Sequence, residues 1–144
     1  MKYLNRYMIP CLLAGILFLA SWQAQAQIPV LIGMKKEEVV QLMQQKFPQF
    51  VQNTDFKNSK FKYLKFVDKI GDETLLVFLS DDDVCTVTKL MTGYDNESTR
   101  IGELNKQYKK INSNRWEINE NGKSCIAELR KEEWYLTIII KPKS

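Results

Sequence analysis

The chain contains no histidine. That absence removes the commonest general base, the commonest metal ligand and the usual partner of a nucleophilic serine or cysteine. Cysteine is scarce, at three residues. Cys11 falls in an N-terminal apolar run, which leaves Cys85 and Cys125. Two thiols without an imidazole do not make a zinc site. Glycine is sparse, at six residues, and no Gly-rich phosphate loop is present. Charge of one sign is also missing: 21 basic residues stand against 17 acidic ones. Two of the positive charges, Lys2 and Arg6, sit at the extreme N-terminus, so the rest of the chain is closer to neutral still. A nucleic-acid surface needs a clustered basic face, and this balance does not supply one. No metal, cofactor or nucleic-acid partner is expected.

What the chain does have begins with an export signal. Lys2 and Arg6 precede an apolar run over 8–20, broken only by Pro10, and Ala24-Gln25-Ala26 closes it. Positive start, apolar core and small-residue exit in that order define a secretory signal. The run is shorter than the roughly 20 apolar residues a membrane-spanning helix needs. Cys11 lies inside the apolar core rather than at its exit, so a lipoprotein site is not expected. Cleavage is expected before Gln27, giving a single domain over 27–144 in the periplasm or outside the cell.

Within that domain, Val39, Leu42, Met43 and Phe47 recur at helical spacing over 35–47. Glu37 and Glu38 open this helix, Lys46 lies in its last turn and Pro48 ends it. Residues 49–60 read as a polar loop without regular structure, long enough to be a place to look for function. Strands are expected over 61–68, 74–80 and 84–91, separated by turns at Gly71-Asp72 and Asp81-Asp82-Asp83. Asn96 is placed to cap a second helix, along which Ile101, Leu104, Tyr108 and Ile111 repeat. Strands over 115–119, 124–129 and 134–141 follow, the first two joined by Asn121-Gly122, a strong hairpin signal. The order is helix, three strands, helix, three strands. Phe66 aligns with Trp116, and Gly71-Asp72 with Asn121-Gly122, at an offset of about 50 residues, a repeat of pattern rather than of sequence. The expected class is α+β: two helix-plus-three-strand pseudo-repeats forming one antiparallel sheet, with both helices on one face.

Strand alternation then sorts the sheet into two faces. Leu75, Val77, Leu79, Trp116, Ile118, Trp134, Leu136, Ile138 and Ile140 should meet the helices. The opposite face carries Leu76, Phe78, Val87, Ile126, Tyr135 and Ile139. Two readings of that second face stand: scattered surface hydrophobes, which are normal, or a partner-binding or self-association surface. The binding residues expected on the second reading are Phe78, Val87, Tyr135 and Ile139. Lys57, Lys60, Lys62, Lys65 and Lys69 alternate with Phe61, Tyr63, Phe66 and Val67 and read as the wet side of a strand.

Other motifs carry less chemistry. Cys85 and Cys125 share an oxidising compartment, but parity places them on opposite faces, which argues against a disulfide. Asp81-Asp82-Asp83 lacks the ligand alternation, central glycine and distal glutamate of a calcium loop and reads as a turn. Asn96-Glu97-Ser98 fits both a glycosylation acceptor and a helix cap. Glu117 and Glu128 are carboxylates near Trp116 and Trp134, yet parity sends them to the outer face. No catalytic residue is assigned.

The opening Gly33-Met34-Lys35-Lys36-Glu37-Glu38-Val39 resembles the helix start of two groups of helix-plus-sheet modules. These are the small outer-membrane assembly lipoproteins and the β-lactamase inhibitor proteins. Both usually place Ser or Thr where Lys35 stands, and the lipoproteins carry a lipobox cysteine that this chain lacks. The chain as a whole resembles small exported proteins of unknown function common in Bacteroidetes. Leu104-Asn105-Lys106-Gln107-Tyr108, Asn114-Arg115-Trp116 and Trp134 carry that likeness, which implies export and fold but no activity. Function is therefore expected to be an exported, non-enzymatic binding module with a protein or envelope partner. The alternatives are a carboxylate-dependent hydrolase of envelope or extracellular glycans and a self-associating envelope subunit. The oligomeric state is left open.

Overall fold

The computed structural model describes residues 27–54, 60–70 and 72–144. The expected signal over 1–26 and the Gly71 half of the first turn lie outside the described residues.

The chain enters the fold through a turn that needs glycine. Met34 N–H donates to Leu31 O at 3.1 Å, and Gly33 between them has φ 78°. This is the left-handed third position of a type II turn, where a side chain is strained. Gly33 N–H then donates to Cys85 O, and Cys85 N–H donates to Met34 O. Helix α1 follows at Lys36–Lys46. The Glu38 carboxylate accepts from Lys35 N–H at 2.8 Å, satisfying one of the donors left free at a helix start. Val39 and Met43 are its buried residues.

Eight strands follow: β1 Phe50–Asn53, β2 Tyr63–Asp68, β3 Glu73–Leu79, β4 Cys85–Thr92, β5 Lys109–Asn112, β6 Arg115–Glu120, β7 Lys123–Lys131 and β8 Leu136–Pro142. A 3-10 turn, Tyr94–Asn96, and helix α2, Glu97–Gln107, separate β4 from β5. All neighbours are antiparallel, and the strands form one sheet in the order β1-β2-β3-β4-β8-β7-β6-β5. The domain is thus a mixed α+β structure built on one eight-stranded antiparallel sheet. Among the described residues, no helix is long and apolar enough to cross a membrane.

Two strands were not expected. β1 lies inside the stretch read as a loop. Only four residues long, it is too short to show alternation, and it is recruited by burying Phe50 beside β2. β5 replaces the expected tail of the second helix. That helix closes at Tyr108, whose N–H donates to Leu104 O, and Ile111 instead lies half exposed in an edge strand. The spacing of Ile111 from Ile101 matched a helix by coincidence. Asn96 occupies the capping position, but its amide donates to Thr92 Oγ1 at 2.9 Å rather than accepting from the helix.

One hydrophobic cluster joins Val39 and Met43 of α1, Leu104 of α2 and Phe66, Leu75, Val77, Leu90, Trp116, Ile118, Leu129, Ile138 and Ile140 of the sheet. The buried Trp116 satisfies its indole N–H on Asn105 Oδ1 at 2.8 Å, so its burial leaves no donor unpaired. Trp134 departs from the expected pattern. It lies in the β7–β8 turn, 79% exposed, because β8 begins only at Leu136.

Cys85 also departs from it. The β3–β4 register shifts between Phe78 and Leu79, pairing Phe78 with Val87 and Leu79 with Cys85. Thr86 is the extra residue of a bulge, and such an insertion reverses the parity of what precedes it. Both Cys85 and Cys125 therefore lie buried in the same cluster, as free thiols. Burial pushes the Cys85 thiol up to about 12, with Cys125 adding to the shift.

The core also holds charge. Arg100 on α2 and Glu73 on β3 keep only 8% and 5% of their side chains exposed. Arg100 Nε donates to Glu73 Oε1 at 3.0 Å, Nη2 donates to Glu73 Oε2, and Nη1 donates to Glu103 Oε2 at 2.8 Å. Burial opposes the guanidinium charge, but the hydrogen bonds and charges of Glu73 and Glu103 hold it above its ordinary range. The fork ties the second helix to a strand of the first half of the chain.

Candidate functional site

The register of the sheet assembles the face opposite the core. One row runs Asn53, Lys65, Leu76, Lys89, Ile139, Glu128 and Arg115 across seven strands. A neighbouring row holds Tyr63, Phe78 and Val87, and a third holds Val51, Val67, Thr74, Met91, Thr137 and Arg130. Tyr63, Leu76, Phe78, Val87, Met91 and Ile139 are all half-buried, neither sealed like the core nor fully wet. The rings of Tyr63 and Phe78 stand 5.9 Å apart at an interplanar angle of 46°, a tilted contact between neighbouring strands.

Three of the four expected binding residues belong to this face. Phe78 and Val87 are direct cross-strand partners, and Ile139 pairs with Lys89, two residues along from Val87. Tyr135 precedes β8, in the turn where its carbonyl accepts from Glu132 N–H at 2.9 Å. It is not a strand residue. Lys89 was not singled out from sequence, although its parity with Val87 and Met91 marks it for this face once β4 is recognised. Lys65 was read as the wet side of an edge strand, with Tyr63 among the residues alternating with it, yet β2 is an inner strand between β1 and β3.

The two halves of the face differ. From β1 through β4 to β8, its charged strand positions are Lys65, Lys89 and Lys141, without a carboxylate. On β6 and β7 the carboxylates are already engaged. Glu128 accepts from Arg130 Nε at 2.8 Å, with Arg115 Nε 3.9 Å away, and Glu117 binds the Lys143 ammonium. The Arg130 hydrogen bond holds Glu128 below the usual carboxylate range, and the Lys143 hydrogen bond does the same for Glu117. Ile126 and Thr137 lie deep on this side, flanked by the long chains of Lys141, Glu117 and Arg130.

Three clefts lined by described residues lie elsewhere. One of about 750 Å³ lies between α2 and the end of β7, lined by Glu97, Ile101, Leu129 and Lys131, where Lys131 bridges Glu97 at 2.8 Å. Another, of about 430 Å³, flanks the edge strand at Pro48, Phe50 and Gln52. A third, of about 230 Å³, gathers Gln27, Met34, Phe47, Tyr108 and Glu120. Burial, followed by the charge and hydrogen bond of Glu120, raises the Tyr108 hydroxyl above its ordinary range. Among the described residues no group of three or more acidic or cysteine side chains could hold a metal ion. In comparisons with known proteins, no family model, curated protein or solved structure matches this chain.

Proposed function

We propose that this chain is an exported, non-enzymatic binding module that holds a protein or envelope partner on the open face of its sheet. The observation that carries the reading is the half-buried apolar strip in which Phe78 pairs with Val87 and meets the Tyr63 ring in a tilted contact. Aromatic side chains fixed on inner strands offer contact area at little entropic cost. Leu76 and Met91 extend the strip one way along β3 and β4, and Ile139 extends it across to β8. Tyr135 is offered as a neighbour of this site at the entry to β8.

The same reading includes export to the periplasm or beyond after cleavage near Ala26, and an architecture of two related halves. Each half is one helix followed by four strands, and each places a buried aromatic residue, Phe66 or Trp116, on its second strand. Buried Val39, Met43 and Leu104 share one cluster, which supports both helices packing on the same face.

A carboxylate-dependent hydrolase is less favoured. General acid catalysis needs a carboxyl that keeps its proton, whereas Glu117 and Glu128 are both shifted the other way by cations. Self-association through the open face remains the competing binding mode.

The test compares tagged wild-type chain with Phe78→Asp, Val87→Asp and, as an off-site control, Lys110→Asp on exposed β5. The Phe78 and Val87 variants should lose a partner that co-purifies with wild type and Lys110→Asp, with circular dichroism unchanged. Retention by Phe78→Asp would refute the site. A stable oligomer of the isolated wild-type chain in light scattering, absent in Val87→Asp, would assign the same face to self-association.

A further inference from the structure

We infer that the partner is a protein whose contact surface presents a carboxylate to Lys89. This rests on the binding face proposed above and names the chemistry it selects. Lys89 lies in the middle of the apolar strip, between Leu76 of β3 and Ile139 of β8, with Val87 and Met91 on its own strand. It is half-buried, and its ammonium has no ion-pair or hydrogen-bonded partner among the described residues. A cation set among apolar groups gains most when a partner delivers an opposite charge as water leaves.

The surroundings share that sign. Lys65 stands two strands from Lys89 in the same row, about 10 Å away by strand spacing. Lys141 is the third charged position of this region, and strands β1 to β4 and β8 put no acid on this face. The whole chain is only weakly basic at +4, so this is a local segregation of charge rather than a general excess. Matched charge steers encounter and fixes register, while the apolar strip supplies contact area. A lipid surface fits less well. Its headgroups favour long basic side chains projecting from a rim, whereas Lys89 is half-buried between Leu76 and Ile139.

The experiment is zero-length carbodiimide coupling in the native envelope, which joins an amine to a carboxylate already in contact. A photoreactive phenylalanine at Phe78 is run in parallel as a charge-blind probe. The inference predicts an amide between Lys89 and an Asp or Glu of the protein captured at Phe78, mapped by tandem mass spectrometry. Affinity for that protein should fall about tenfold for Lys89→Met, and further for Lys89→Glu, with a weaker salt dependence. A Phe78 adduct without any Lys89 amide overturns the acidic contact and leaves the binding face standing. Loss of both overturns the binding face itself. Salt-sensitive flotation of the purified chain with phosphatidylglycerol vesicles, abolished by Lys89→Glu, would overturn the protein partner in favour of a lipid one.

Discussion

The buried Arg100–Glu73 fork makes a demanding prediction, because charge in a core is costly to disturb and unremarkable to replace. Both side chains are more than nine-tenths buried. Removing one partner strands the other charge away from water, which costs about 3–5 kcal/mol. Glu73→Leu removes the carboxylate that binds both Nε and Nη2 of Arg100, and Arg100→Met removes the guanidinium that Glu73 binds. Each single variant should lose about 3–5 kcal/mol, a drop of roughly 10–25 °C in Tm for a domain of this size. The double variant removes both charges, and the remaining Glu103 carboxylate keeps 18% of its side chain exposed and can turn to solvent. It should be more stable than the sum of the singles implies by about 2–3 kcal/mol. Urea unfolding followed by tryptophan fluorescence reads this directly. Trp116 is wholly buried and reports the core, whereas Trp134 is already exposed. Since the fork joins α2 to β3, both halves should melt in one transition. Single variants costing under about 1 kcal/mol, or a double variant equal to the sum of its singles, would refute the reasoning.

Other perturbations follow from the same packing. A methyl group on Gly33 would lie 2.6 Å from the Lys123 ammonium, which itself donates to Ile32 O, and φ there is 78°. Gly33→Ala should therefore cost about 1–3 kcal/mol in denaturant titration, and a neutral result would contradict the turn. Cys85 and Cys125 should resist Ellman's reagent in the folded protein, react fully in guanidinium and leave Tm indifferent to reductant; rapid native labelling would count against their burial. Glu117 and Glu128 are held below their ordinary range, so the native state binds fewer protons than the unfolded chain. Their stabilisation is complete above the ordinary carboxylate range and is lost as pH falls through the lowered values. Glu128→Gln should flatten that acid limb slightly, as measured by urea midpoints across pH.

The sequence carried the parts of the fold that rest on period and punctuation. Val39 and Met43 marked α1, and Asn121-Gly122 marked a hairpin in which both residues adopt positive φ. Leu75, Val77, Trp116, Ile118 and Ile138 were legible as core because alternation needs only local information. What failed was non-local or too short. β1 has four residues, and its place depends on β2. The side on which Cys85 lies depends on one extra residue, Thr86, that no periodicity announces. Trp134 looked like the first core residue of a strand, but the turn extends one residue past it. Of the proposed binding face, Phe78, Val87 and Ile139 were readable by parity. Lys89 was not picked out, because a lysine in an alternating strand reads as solvated until its neighbours are known to be apolar. Arg100 and Glu73 stand 27 residues apart, and nothing in either segment announces the pair.

The most direct test of the proposed binding face is a photo-crosslinking scan in intact cells, one position at a time. The positions are Phe78, Val87 and Ile139 on the face, with Ile111 and Trp134 as exposed apolar controls elsewhere. The account predicts one discrete adduct shared by Phe78, Val87 and Ile139 and absent from both controls. The same adduct at Ile111 or Trp134, or none at Phe78 and Val87, would contradict it.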